Sequence, residues 1–404
     1  LLVALTACGD TQPAGSTSGD GESPSLAQGV TDTEILVGHL GPQTGATAEY
    51  DKVRQGIQAY FDVVNENGGV LGRKLTLIAH DDRYQPSETV KGAKRLVEEE
   101  KVFAILYPIG TANVNAMKPY LEEKGIPVVG LGTGANMFVE PPIRNFFGYQ
   151  FNYMIESRIY VDYAINQLGA KRITLVFQND DFGKQGLEGA KKAVAEYPGV
   201  EVAAEIPFLA TDQDFSSQAQ RIVASDPDAV IMFTTPKPAA SLRKEMYKIH
   251  ATGLPFLVSS TGGSDPNQFN IAGKEVWEGV ITSTALPSPE QSDDPEMKQY
   301  LERFRQTPQL IGSLTQSGWA VAQIFVEALK RTGEQLTWDN FIQALETFDH
   351  WDGSILPSVT YTSENRYGVT SLRMMKAENG RYVPITGFIR FDPETKEVIY
   401  ENKS

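Results

Sequence analysis

Two glycine-threonine pairs stand where a small anion could be gripped: Gly110-Thr111 after the apolar run "FAILY", and Gly132-Thr133 after "IPVVGL". Glycine lets a backbone approach a ligand closely, and threonine adds a hydroxyl that can also cap a helix. Thr111 opens a helical pattern of Val114, Met117 and Leu121. The first amides of such a helix lack intrahelical partners and carry partial positive charge. A carboxylate on those amides and on the Thr111 hydroxyl is one reading, and a plain cap is the other. The second loop favours the anion, since two loops from adjacent strands can clamp one carboxylate.

Other chemistry is scarce. "GLGTGA", Gly130 to Ala135, fits the G-x-G-x-x-A dinucleotide pattern in letters only. That pattern must open a helix after the first strand of its unit, whereas Pro141-Pro142 follow here and the loop comes after a fourth strand. His39, His80, His250 and His350 are isolated and show no metal-ligand spacing. Asp81-Asp82 ends a strand and reads as an acid pair, a helix cap or arginine partners. Nothing organises covalent chemistry, so neither catalysis, metal nor cofactor is expected.

The elements that position these loops alternate. "ILVGHLG", "LTLIAHDD", "FAILYPIG" and "IPVVGLG" read as apolar strands, separated by helices whose apolar residues recur at helical spacing (Val53, Ile57, Tyr60, Phe61, Val64 on the first). After an aromatic, Pro-rich break at residues 140–153 the rhythm restarts with "RITLVFQNDD", "DAVIMFTT", "FLVSSTGG" and "EGVITSTALP". Apolar strands joined by helices call for parallel, doubly wound sheets, and two such units suggest one lobe each. "SLRMMKAENGRYVPIT" reads as a β-hairpin turning at Asn379-Gly380. Open α/β sheets bind ligands at the carboxyl ends of their strands, where the loop carrying Thr44 and both Gly-Thr loops fall.

The formal charge of −15 over 404 residues argues against a nucleic acid or an anionic membrane surface as partner. The lone cysteine, Cys8, ends "LTAC" behind an apolar run, like the tail of a secretory signal. It resembles a bacterial lipobox, whose cysteine is acylated, and an ordinary signal peptide is the alternative. Residues 9–29 are rich in Gly, Ser and Pro and read as a flexible linker.

Taken together, "GHLGPQTGATAEY", the N-x-x-G-G-x-x-G-R run at Asn65–Arg73, the D-D-x-x-x-P run at Asp81–Pro86, "SDPDAVIM" and "ATGLPFLVSSTG" resemble the Leu/Ile/Val-binding type of extracytoplasmic solute-binding protein. The resemblance implies a Venus-flytrap α/β fold of two Rossmann-like lobes joined by three crossovers near Phe147–Phe151, Ser283–Pro287 and Thr360–Tyr367. Lobe one would take residues 30–148 and 286–360, and lobe two 149–285 and 361–404, with 1–8 a signal remnant. It further implies capture of a branched-chain amino acid or an amine-free aliphatic or aromatic acid, delivery to an ABC-importer permease, a lipid anchor at Cys8 and a monomer. A sensor subunit of the same shape, or a binder of an amide or urea-type solute, is the alternative.

Family ligand donors carry over onto Gly110, Thr111, Gly132, Thr133 and Gly134, and a cleft tyrosine onto Tyr50. The second lobe departs from the pattern. The glutamate that takes a substrate ammonium falls on Gly262, with Asp265 as its candidate replacement, and a cleft tyrosine falls on Phe182. Thr44, Tyr50, Phe151 and Phe182 complete the expected site, and an acid with an apolar body fits these rings.

Overall fold

Strand β1 (Glu34–Gly41) is paired on both edges by parallel neighbours, β2 (Lys74–Asp81) and β3 (Ala104–Leu106), which explains its apolar run. The computed structural model describes residues 26–289, 294–356 and 358–400; Cys8 and most of the expected linker lie outside these. β4 (Val128–Leu131) and β5 (Phe146–Gly148) complete a parallel sheet of order β2-β1-β3-β4-β5. Helices α1 (Asp51–Glu66), α2 (Pro86–Lys94) and α3 (Thr111–Lys124) are its crossovers.

The second sheet repeats the plan after α4 (Tyr153–Asn166). Its parallel part is β7 (Glu201–Phe208), β6 (Arg172–Gln178), β8 (Ala229–Phe233), β9 (Phe256–Val258) and β10 (Ile281–Thr284), in that spatial order. Helices α5 (Asp181–Ala195), α6 (Ser216–Ala224) and α7 (Pro236–Lys248) connect these strands. Single turns follow at α8 (Ser260–Gly263), α9 (Gln268–Ile271) and α10 (Lys274–Trp277). The run "FLVSSTGG" is thus a strand only to Val258 and then a helical turn. α6 begins at Ser216, with Phe215 buried at its cap and Val223 facing solvent.

α11 (Pro295–Arg303), α12 (Ser313–Thr332) and α13 (Trp338–Leu345) return to the first lobe, where Arg303 pairs with Asp62 and Glu66 of α1. β11 (Ser371–Glu378) then re-enters the second sheet antiparallel to β10. It turns through Asn379 and Gly380, both at positive φ, into β12 (Arg381–Pro384). β13 (Ile389–Phe391) and β14 (Val398–Tyr400) extend that edge. The chain therefore passes between lobes three times, before α4, before α11 and before β11. The first and third passages are bonded together: the Gly148 amide donates to the Arg366 carbonyl at 2.7 Å, and the Tyr361 hydroxyl donates to the Gly148 carbonyl at 2.6 Å.

The core of the first lobe is the crossing of α1 over α12. A Cβ on Gly56 would meet the Thr315 carbonyl oxygen at 2.1 Å, and one on Gly318 the Val53 carbonyl oxygen at 1.9 Å, so only glycine permits this approach. Val53, Ile57, Phe61, Trp319 and Phe325 are buried around it, each stabilising the fold by about 1.5–3 kcal/mol. Residues 26–29, expected in the linker, pack here instead: the Ala27 amide donates to the Leu336 carbonyl, and Gln28 Nε2 to the Val97 and Val102 carbonyls. Among the described residues no helix is long and apolar enough to cross a membrane.

Candidate ligand site

Both Gly-Thr loops extend the β3–β4 pairing beyond the strands. The Gly132 amide donates to the Pro108 carbonyl at 3.0 Å and the Gly110 amide to the Gly132 carbonyl at 3.3 Å. Gly110 caps α3 at φ 100°, where a Cβ would meet the Tyr84 ring at 2.7 Å, so Thr111 is the first helical residue rather than the cap. The Thr111 and Thr133 hydroxyls are buried and lie 2.8 Å apart, hydrogen-bonded to each other, and Thr133 Oγ1 also accepts from the Ala135 amide. The loops thus hold one another, and their glycines, not their threonines, line the space between the lobes.

That space is a cavity of about 80 Å³ walled from both lobes and the hinge. Five tyrosines reach it, each from a different element. Tyr50 ends the turn after β1, Tyr84 follows β2, Tyr107 follows β3, Tyr149 lies in the first hinge passage and Tyr153 begins α4. Burial pushes all five phenols above their ordinary pKa, so each remains an O–H donor at physiological pH. Tyr149 Oη is buried without a hydrogen-bond partner. The rings of Tyr107 and Tyr149 pack at a tilt of 56° with centroids 5.3 Å apart, and Tyr153 packs on Phe182 at 4.8 Å. Phe151, Phe182, Val53, Ile109 and Leu314 supply apolar wall, while Ser260, Ser283, Ser313 and Ser317 add hydroxyls. Among the described lining residues there is no carboxylate, ammonium, guanidinium or imidazole.

A buried acid stands one layer behind the cavity. Glu156 Oε1 accepts from the Ser283 hydroxyl at 2.7 Å, the Ser260 amide at 2.8 Å and the Tyr160 hydroxyl at 3.0 Å, while Oε2 is unpartnered. Burial raises its carboxyl above the usual range against those hydrogen bonds.

Of the residues expected at the site, Tyr50, Gly110, Gly132, Phe151 and Phe182 meet at the cavity. Thr44 is exposed and donates to Asp81 Oδ2 at 2.6 Å, outside it. Gly134 is pressed against the Phe151 carbonyl and Gly262 against the Thr234 carbonyl. Asp265 is engaged elsewhere: its Oδ2 accepts from the Leu314 amide in the first turn of α12 at 3.2 Å, and Lys52 Nζ lies 3.7 Å from Oδ1. It clamps the lobes instead of facing a ligand. Three further bonds cross with it: Tyr50 Oη to the Thr261 carbonyl, Asn267 Nδ2 to Glu49 Oε2, and Ser264 Oγ to Ser313 Oγ. Asp81 accepts from the loop amides of Gln43 and Arg83 and Asp82 from that of Tyr84, with Asp82 also accepting from Thr89 Oγ1 at 2.8 Å. Tyr84, Tyr107, Tyr149 and Tyr153 escaped the sequence reading, in which a tyrosine beside an apolar run looks like core.

A family model described as periplasmic binding protein matches residues 34–381, most of the chain. This chain belongs to that family. A Leu/Ile/Val-binding protein, BraC3, of Rhizobium johnstonii is 22% identical over 355 residues, covering 87% of this chain and 93% of that one. An amino acid binding protein of Pseudomonas aeruginosa is 25% identical over 214 residues, 53% of this chain and 57% of its own length. Among solved structures, a fatty acid ABC transporter substrate-binding protein from Thermomonospora curvata superposes with a TM-score of 0.83 at 24% identity, covering 92% of this chain and 96% of that one. The two-lobed architecture is that of type I periplasmic binding proteins. The resemblance to Leu/Ile/Val-binding proteins of ABC transporters holds, and family membership places the protein's work outside the cytoplasm.

Proposed function

We propose that this protein captures an amine-free, largely apolar carboxylate between its lobes and delivers it to an ABC-importer permease. One observation carries the solute class: a cavity that five tyrosines line, the Tyr50 hydroxyl already donating to the Thr261 carbonyl, with no charged side chain in its described wall. An α-ammonium buried there would meet no carboxylate in the described wall, Glu156 lying behind Ser260 and Ser283, and an ion desolvated without direct pairing costs several kcal/mol. A carboxylate or carbonyl oxygen would instead receive O–H donors from the phenols and Ser317, with its body against Phe151, Phe182 and Leu314. Binding is coupled to closure because the walls come from both lobes, so a ligand touching both favours the closed form.

The relatives' names run both ways, one a Leu/Ile/Val-binding protein and another a fatty acid binder, and support an apolar body bearing a carboxylate. The lipid anchor at Cys8 and a monomeric state belong to the same proposal. A thermal-shift panel tests the solute: leucine and valine against 3-methylbutanoate, phenylacetate and their amides. A ligand at 100 times its dissociation constant stabilises by about 2.7 kcal/mol. Stabilisation by the amine-free acids supports the reading; stabilisation by the amino acids alone overturns it.

A further inference from the structure

Beside the cleft lies a second cavity of about 450 Å³. It shares Ser264, Thr284, Leu286 and Ser313 with the first, so the two spaces adjoin. Its walls come from both lobes and from the hinge: Leu301, Ile311 and Gln316 on one side, Thr282, Arg373 and Met375 of β10 and β11 on the other, and Leu286–Pro289 between them. Most of that surface is apolar or proline. Two guanidiniums, Arg373 and Arg381, stand in it, and no carboxylate lines it among the described residues.

Arg373 carries the argument. Its Nε is buried without a hydrogen-bond partner, and the guanidinium lies over the face of Phe388, 5.5 Å from Cζ to the ring centroid. Thr282 Oγ1, on the same wall, is also buried and unpartnered. Burial lowers the Arg373 pKa, the mark of a desolvated cation. Native structures seldom leave buried polar groups unpaired. A largely apolar chamber with half-buried Arg373, exposed Arg381 and no acid among its described lining suits an anion with a hydrophobic body.

We infer that this chamber is a second part of the ligand site, where the carboxylate of a medium- or long-chain acid sits on Arg373 and its chain runs past Leu286 into the cleft. This rests on the proposed capture of an amine-free acid, and a long acid lies the other way round from a short one, its carboxylate on Arg373 and its chain end against Phe151, Phe182 and Leu314. Because both lobes build the chamber, an acid filling it adds contacts that exist only in the closed form.

The test uses the full chain, stripped of ligand, with 3-methylbutanoate and decanoate titrated calorimetrically. Arg373→Gln removes the charge, and Ile311→Trp fills the chamber from a position that does not itself line the cleft. Each variant should weaken decanoate by roughly tenfold or more, the usual worth of a lost charged hydrogen bond, and leave 3-methylbutanoate within about twofold. Should Arg373→Gln fail to fold, Ile311→Trp decides alone. Decanoate binding to both variants as to the wild type overturns the chamber and leaves the cleft standing. Wild type that binds the short acid and not the long one does the same. Wild type that binds neither acid overturns the cleft reading and the chamber together.

Discussion

The hydroxyls of Thr111 and Thr133 face each other at 2.8 Å, so the two loops that looked like the jaws of an anion clamp are fastened to one another. Their glycines come to the cavity because their threonines do not. The arrangement fixes the ends of β3 and β4 at a common height and sets the floor on which Tyr107 and Tyr149 stand.

A double-mutant cycle of Thr111→Val and Thr133→Val checks this. Each single change leaves one buried hydroxyl short of a partner and should cost about 1–2 kcal/mol in denaturant unfolding. The double should cost less than the sum. Affinity for acids should stay within about threefold; a larger loss would return the hydroxyls to the ligand.

His39 makes stability pH-dependent. Burial lowers its pKa from 6.5 to about 4, although Nδ1 is 3.0 Å from the Leu106 carbonyl. Between those values the unfolded chain binds more protons than the folded one, so stability is full above pH 6.5 and falls as pH drops toward 4. The loss by pH 4 is about 3 kcal/mol, and His39→Gln should flatten that part of the melting-temperature profile.

Glu156 has the opposite sign. Its folded pKa is raised by burial, so the folded state holds the proton longer and stability declines as pH rises through the folded value. Glu156→Gln, which cannot ionise, should be more favourable relative to wild type at pH 8 than at pH 5. An unchanged difference between the two pH values would mean that Oε1 carries its charge at no cost.

Asp265 should govern closure rather than ligand identity. Asp265→Asn removes the charge that Lys52 and the first turn of α12 meet, and should weaken every ligand by a similar factor of about ten. Small-angle scattering of the unliganded variant should show a larger radius of gyration. A selective loss of amino acids alone would restore Asp265 as an ammonium partner.

The alternation of β1 to β4 with their helices was legible because each strand carries an apolar run between helical patterns, and the Asn379-Gly380 turn because both residues accept positive φ. β7 was not, since "EVAAEIPF" is an edge strand whose exposed glutamates interrupt any run. The site was half legible. Tyr50 and the two glycines lie near motifs, whereas Tyr84, Tyr107, Tyr149 and Tyr153 converge only once two sheets and a hinge are assembled. Asp265 misled for the same reason: an acid near a cleft and an acid capping a helix of the opposite lobe look alike in one dimension.

The glycine crossing of α1 and α12 joins two parts of the chain made far apart in time. A chain emerging N-terminus first, from a ribosome or an export channel, delivers α1 and the whole first sheet long before Ser313–Thr332 arrives to cover them. Until then the face of α1 that meets α12 at Gly56 is uncovered, and the core of the lobe stays incomplete. A fragment ending at residue 312 should accordingly remain protease-sensitive, and extension through Thr332 and α13 should confer resistance.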